Sequence, residues 1–196
     1  ILFIVPSVLY IFFTKLQPKQ VLRLNPITIK NIILIICIAV TVQPSMAMLS
    51  YLSSYIFQNN ISATLYAHSD ANIFLLLLSV AIVPAICEEV FFRGIVFYNL
   101  QNLRLKQACC ITGFYFGLMH MDLQQISYTF AIGVFFCFLV YRTNTVYASM
   151  LAHFVINSSQ ALYSALISRM QQEGILGAIE ELLAPKGEFH SVGMMF

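Results

Sequence analysis

Apolar residues run along this chain in long stretches, parted by short polar segments that hold most of its charges. The runs are Ile1–Phe13, Asn31–Leu52, Asn72–Leu100, Ala108–His120, Ile126–Tyr141 and Thr145–Ile167. An α-helix rises about 1.5 Å per residue, so roughly 20 apolar residues cross a hydrocarbon core of about 30 Å. The pattern therefore predicts an all-α, polytopic transmembrane bundle with six crossings. The first run makes only about 20 Å of helix, so the sequence is expected to begin inside one. A signal peptide is the competing reading, weakened because no basic segment precedes the run and no small-residue cleavage site follows it. The fourth run reaches about 20 residues only with Leu105 and residues beyond His120 added. The expected organisation is one transmembrane domain over residues 1–169 and a short tail over 170–196.

The basic residues give this bundle a direction. Lys15, Lys19, Arg23 and Lys30 fill the first connection, Arg104 and Lys106 the third, and Arg142 the fifth. Lys and Arg in short loops stay on the cytoplasmic side, so these three connections are expected to face the cytoplasm together. Outside the Glu88/Glu89 pair the acidic residues Asp70, Asp122, Glu173, Glu180, Glu181 and Glu188 then fall on the other side, joined there by Arg169 and Lys186. Tyr51, Tyr55 and Tyr66 suit an interfacial aromatic belt on that face. After Gly174, Ile175, Leu176, Ile179, Leu182 and Leu183 repeat at helical spacing until Pro185 ends the pattern. A tail that packs or frays is favoured there over an interfacial helix, because an acidic polar face binds anionic lipid poorly.

Composition agrees and excludes some functions. Hydrophobic residues make up 60% of the chain and charged residues 9%, against a soluble average of roughly 25% charged. A net charge of +2, with no basic cluster interleaved with aromatics, gives no footprint for nucleic acid. Cys37, Cys87, Cys109, Cys110 and Cys137 sit in apolar runs without the spacing of a disulfide framework or a paired metal motif, and read as small core residues.

Ionisable groups inside a span cost roughly 2.5–3.5 kcal/mol each and so point to function. Five stand out: Glu88, Glu89, Arg93, His120 and His153, with Asn157 joining them by spacing. Glu89 and Arg93 are four apart and can pair on one helical face as a structural couple. Glu88 lies about 100° round the helix and is left for another partner. Pro84, one turn earlier, removes a backbone hydrogen bond and is expected to bend the helix near the carboxylates. Gly113 and Gly117 form a small-residue stripe that admits a neighbouring helix close to Phe116 and His120. His153 and Asn157, also four apart, aim an imidazole and an amide into one cavity. Counted from the basic anchors, Glu88, His120, His153 and Asn157 lie at similar depths, roughly 17–24 Å. Glu88 and His120 can activate a water for attack on a carbonyl, with His153 and Asn157 donating to the oxyanion. The same groups offer another solution, with Glu88, His120 and His153 as three ligands of Zn²⁺ and a fourth position for water. No HExxH motif favours the metal.

At these residues the sequence resembles the intramembrane protease family that includes the type II CAAX prenyl endopeptidases and the bacterial CPBP or Abi proteins. That family carries EExxxR, FxxxH and HxxxN or HxxxD in this order on separate helices. Here they read Glu88-Glu89-x-x-x-Arg93, Phe116-x-x-x-His120 and His153-x-x-x-Asn157, within residues 83–159. The resemblance implies catalytic Glu88, His120, His153 and Asn157, with Glu89, Arg93 and Phe116 supporting them. It implies a membrane-anchored peptide or protein as substrate and a multi-pass protein in a bacterial plasma membrane. Family members have been described both as metalloproteases and as glutamate-dependent enzymes; the metal-free route is favoured here, with zinc as the alternative. Three rivals are weighed against this reading. One is the same chemistry serving bacteriocin self-immunity, the second a transporter using Glu88, His120 and His153 as a proton relay, and the third a silent membrane scaffold. No inverted repeat supports the transporter.

Overall fold

A computed structural model describes residues 2–57 and 72–175, and among these every regular element is helical. In chain order they are α1 (Ile4–Thr14), the short α2 (Pro18–Val21), α3 (Ile29–Ser54), α4 (Ile73–Asn99), α5 (Leu105–Leu118), α6 (Leu123–Thr143) and α7 (Val146–Gln172). Side-chain caps set several starts, because the first backbone N–H groups of a helix have no intrahelical partner. Asn72 Oδ1 accepts from Phe74 N at 2.9 Å, and Asp122 Oδ1 accepts from Gln124 N at 2.9 Å. Thr28 and Thr145 do the same for α3 and α7. Asn144, in the left-handed region at φ 53°, turns the chain from α6 towards α7.

Two helices depart from regular winding. The regular winding of α3 is interrupted at Val42, and Pro44 lies in the first turn of its second half, Gln43–Ser54. α4 contains π-helical stretches at Leu78–Ile82 and Val90–Val96, on either side of the Pro84 to Glu89 turn. Pro84 thus follows directly on a stretch of widened winding. Such segments commonly mark functional sites.

The core joins α3, α4, α5, α6 and α7 through Ile35, Ala39, Phe92, Phe116, Phe136 and Ile156. A second cluster, Phe97, Ala108, Cys109, Cys137 and Val140, lies between the ends of α4, α5 and α6. α5 and α6 meet backbone to backbone. A Cβ on Gly133 would lie 2.7 Å from Gly113 Cα, and one on Gly113 would lie 2.9 Å from Phe130 O. The small-residue stripe at Gly113 and Gly117 thus works as its spacing predicts, with Gly133 as its counterpart on α6. Of the cysteines, Cys109 and Cys137 are core residues, whereas Cys37 and Cys110 face outward.

Among the described residues three helices are long and apolar enough to cross a membrane: Ile29–Ser54, Ile73–Asn99 and Leu123–Thr143. Their outer faces present side chains such as Phe74, 65% exposed, and the neighbouring α5 adds Phe114, 51% exposed. A soluble monomer rarely shows apolar surface on that scale, and together these features make this an integral membrane protein. Of the six crossings expected from the runs, three meet that criterion among the described residues. α1 is a shorter apolar helix of 11 residues. α5 stops at Leu118, after 14 residues, so His120 lies in the turn beyond it rather than inside a span. α7 has the length, at 27 residues, but His153, Asn157, Ser158, Ser159 and Gln160 lower its hydropathy. It also runs unbroken through residue 169. Tyr51 and Tyr55 are exposed at the end of α3. Tyr66 and the apolar repeat from Leu176 to Leu183 lie outside the described residues.

The first, third and fifth connections gather at one end of the bundle. Asn25 Nδ2 donates to Asn144 O at 2.7 Å, Thr145 Oγ1 donates to Asn25 O at 2.7 Å, and Tyr10 OH donates to Asn99 Oδ1 at 2.7 Å. Asp122 belongs to the other end, where Gln124 Nε2 donates to Ser50 Oγ at 2.8 Å.

Candidate active site

Glu89 and Arg93 form the anchor of the site. Both are fully buried, and Arg93 Nη1 donates to Glu89 Oε1 at 2.8 Å, the i,i+4 pair that the spacing predicts. Arg93 Nη2 donates to Gly133 O at 3.1 Å, which ties α4 to the close-packed face of α6. The guanidinium carbon lies 4.4 Å from the centre of the Phe116 ring, 5.1 Å from Phe136 and 5.8 Å from Phe92. An arginine so desolvated is held by the faces of aromatic rings as well as by its carboxylate. Phe116, the aromatic of the second motif, therefore supports Arg93 and also packs at 4.9 Å against His120.

This anchor fixes His153. Its Nδ1 lies 2.9 Å from Glu89 Oε1. A carboxylate oxygen accepts, so Nδ1 carries the proton and Nε2 is the free ring nitrogen. Nε2 sits 4.0 Å from Glu88 Oε2. Glu88, the partner-free carboxylate of the sequence reading, thus faces His153 and not Arg93. His120 is fixed in a similar manner: its Nδ1 is 2.8 Å from Phe116 O, a group that can only accept, which again leaves Nε2 free. The turn after α5, with Met121 at φ 51°, places the ring there.

Asn157 makes a bond that spacing did not reveal. Pro84 has no N–H, so the carbonyl of Val80, four residues earlier, loses its usual helical donor. Asn157 Nδ2 donates to that carbonyl at 3.0 Å. One N–H of the amide is spent on the backbone of α4, and the other remains for a ligand.

Glu88, His120, His153 and Asn157 all line one cavity of about 270 Å³ between α4, α5, α6 and α7. The structure thus brings together every residue that the motifs singled out as catalytic. Gln125, Tyr128 and Gln160 also line it and were missed. They lie on α6 and α7 within apolar stretches, and their spacing alone carried no signal. Tyr128 OH donates to Gln125 Oε1 at 3.0 Å, and Gln125 Nε2 donates to Asp122 Oδ2 at 3.1 Å.

The orientation of both histidines, Nδ1 engaged and Nε2 free, is the one that metal-binding histidines use. Among the described residues, however, no three His, Cys, Asp or Glu side chains come close enough together to hold one ion. Glu88, His120 and His153, the zinc set, are not gathered as one ligand group in this arrangement, and no step below passes through a metal.

Comparison with known proteins gives a bounded answer. No solved structure matches the chain. Over 85 residues the chain is 33% identical to a Bacillus subtilis (strain 168) protein described as "Putative membrane peptidase YdiL"; the match takes in 43% of this chain and 35% of the relative. The segment that carries all three motifs, residues 70–159, matches the family described as Type II CAAX prenyl endopeptidase Rce1-like, the family those motifs resemble.

Proposed function

We propose that this chain is an intramembrane endopeptidase that hydrolyses peptide bonds of membrane-associated peptides or proteins, with Glu88 as the general base. The observation that carries this reading is the convergence on one cavity of Glu88, His120, His153 and Asn157, from three separated motifs, with both histidine rings oriented. The family match and the relative support a peptidase at the coarser level.

In the proposed reaction a water lies between Glu88 and the free Nε2 of His120. Glu88 takes one proton from it, and the water oxygen forms a bond to the substrate carbonyl carbon as the carbonyl electrons move to oxygen. The second N–H of Asn157 and the Nε2 side of His153, which must carry a proton in this step, donate to that oxyanion. Collapse re-forms the carbonyl and breaks the C–N bond, and the amine leaves with the proton held by Glu88. Glu89 and Arg93 take no part in bond making; they hold His153. The protein is placed, in this reading, as a multi-pass protein of a bacterial plasma membrane.

The test is cleavage of a panel of membrane-anchored peptides by the purified chain in nanodiscs, for wild type and Glu88→Gln, with and without a zinc chelator. Cleavage that is lost in the variant and kept under chelation is the expected outcome. Loss under chelation would replace the metal-free step with a zinc-activated water. Proton-coupled flux without cleavage would turn the reading to a transporter.

A further inference from the structure

A second cavity, of about 400 Å³, opens at the basic end of the bundle and shares no lining residue with the first. Its lining includes Gln17, Lys19, Gln20, Arg23, Asn25 and Gln101, contributed by the α1–α3 connection and the end of α4. Two cations and five amides line it, Asn144 being the fifth, and no carboxylate among the described residues does. The chemistry that this set satisfies is that of an oxyanion with several acceptor oxygens.

Arg23 adds an independent observation. Its backbone lies at φ 47°, a conformation that residues with a Cβ rarely adopt. Its guanidinium carbon sits 5.0 Å from the centre of the Phe97 ring, and Nη1 is buried with no hydrogen-bond partner. Burial pushes the Arg23 guanidinium below its usual pKa, an unfavourable setting for a cation without an anion beside it. Lys15, Lys30, Arg104, Lys106 and Arg142 lie in the same connections or at their ends and strengthen the positive field.

We propose that this cavity binds a phosphate group, held by Lys19 and Arg23 and by the surrounding amides. The site stands apart from the protease reading and survives its failure. In a membrane protein the basic end lies at headgroup level, where phospholipid phosphates are concentrated; free inorganic phosphate offers the same oxygens.

The experiment titrates the purified full chain in non-ionic detergent with dihexanoyl phosphatidylglycerol, with inorganic phosphate, and with dihexanoylglycerol as the phosphate-free control, reading binding by calorimetry. Wild type is expected to bind at least one phosphate probe and not the control. Binding of the lipid alone names a headgroup site, and binding of inorganic phosphate names a free-anion site. Lys19→Gln and Arg23→Gln are each expected to weaken that binding about tenfold or more, the loss of one charge-assisted contact. Arg169→Gln, exposed near the opposite end of the bundle and outside the cavity, should leave it unchanged. Lys19 is exposed, so its variant keeps the test valid should Arg23→Gln not fold. Equal binding of the phosphate-free control, no binding of either phosphate probe, or full binding by Lys19→Gln would overturn the proposal.

Discussion

Glu88 and Glu89 are adjacent in sequence, yet their surroundings give them different work. Glu89 is fully buried between Arg93 and His153, while the Glu88 side chain keeps 18% of its surface open to the cavity. Replacing Glu88 by Gln should therefore leave the fold intact and lower the cleavage rate by about 10²-fold or more, the usual worth of a positioned base. Helix content and the elution profile in detergent check the first point, and single-turnover cleavage checks the second. Arg93→Met should act in the opposite manner. It leaves the Glu89 carboxylate buried without its cation, at a cost of about 3–5 kcal/mol that detergent unfolding curves would register. The Glu89–Arg93 pair was legible because four residues make one helical turn. The bond from His153 to Glu89 was not, since it depends on how α7 meets α4, 64 positions away in sequence.

Among the elements, α4 was only half legible. Pro84 announces a missing hydrogen bond, but nothing in the sequence says that Asn157 of α7 fills it at Val80. The two residues form a testable couple. In the native background Asn157→Ala should cost about 0.5–1.5 kcal/mol by removing the hydrogen bond to a part-buried carbonyl. In a Pro84→Ala background the new N–H can reach Val80 O, and the same substitution should cost less. A double-mutant cycle on unfolding free energy should show coupling of about 0.5 kcal/mol or more; strict additivity would remove the helix-repair role. The α5–α6 contact was legible from Gly113 and Gly117 on one side only, because Gly133 stands alone within an apolar run. Gly133→Ala places a Cβ against the backbone of α5 and should cost about 1–3 kcal/mol as overpacking. The end of α5 was misread because apolar residues continue to Met121. The chain turns at Met119 to reach the Asp122 cap, and that turn is what carries His120 to the cavity.

For the whole molecule, hydropathy made the all-helical membrane class legible, and the charges made its two ends legible. The first, third and fifth connections meet at one end, as the basic residues predicted. Single cysteines at Arg104 and Arg142, in a background where the five native cysteines are replaced, should label from one face of a sealed vesicle and a cysteine at Asp122 from the other. Labelling of Arg104 and Arg142 from opposite faces would break the arrangement. The number of crossings was less legible, because α7 has the length of a span while His153, Asn157, Ser158, Ser159 and Gln160 leave it less apolar than the three helices that qualify.

The central claim is that Glu88 activates water for peptide hydrolysis, and the most direct measurement is cleavage of membrane-anchored peptides by wild type and Glu88→Gln in nanodiscs, followed by mass spectrometry in ¹⁸O-water. The account predicts one ¹⁸O atom in the new carboxyl terminus with wild type and no product with the variant. Undiminished cleavage by a folded Glu88→Gln protein would contradict it.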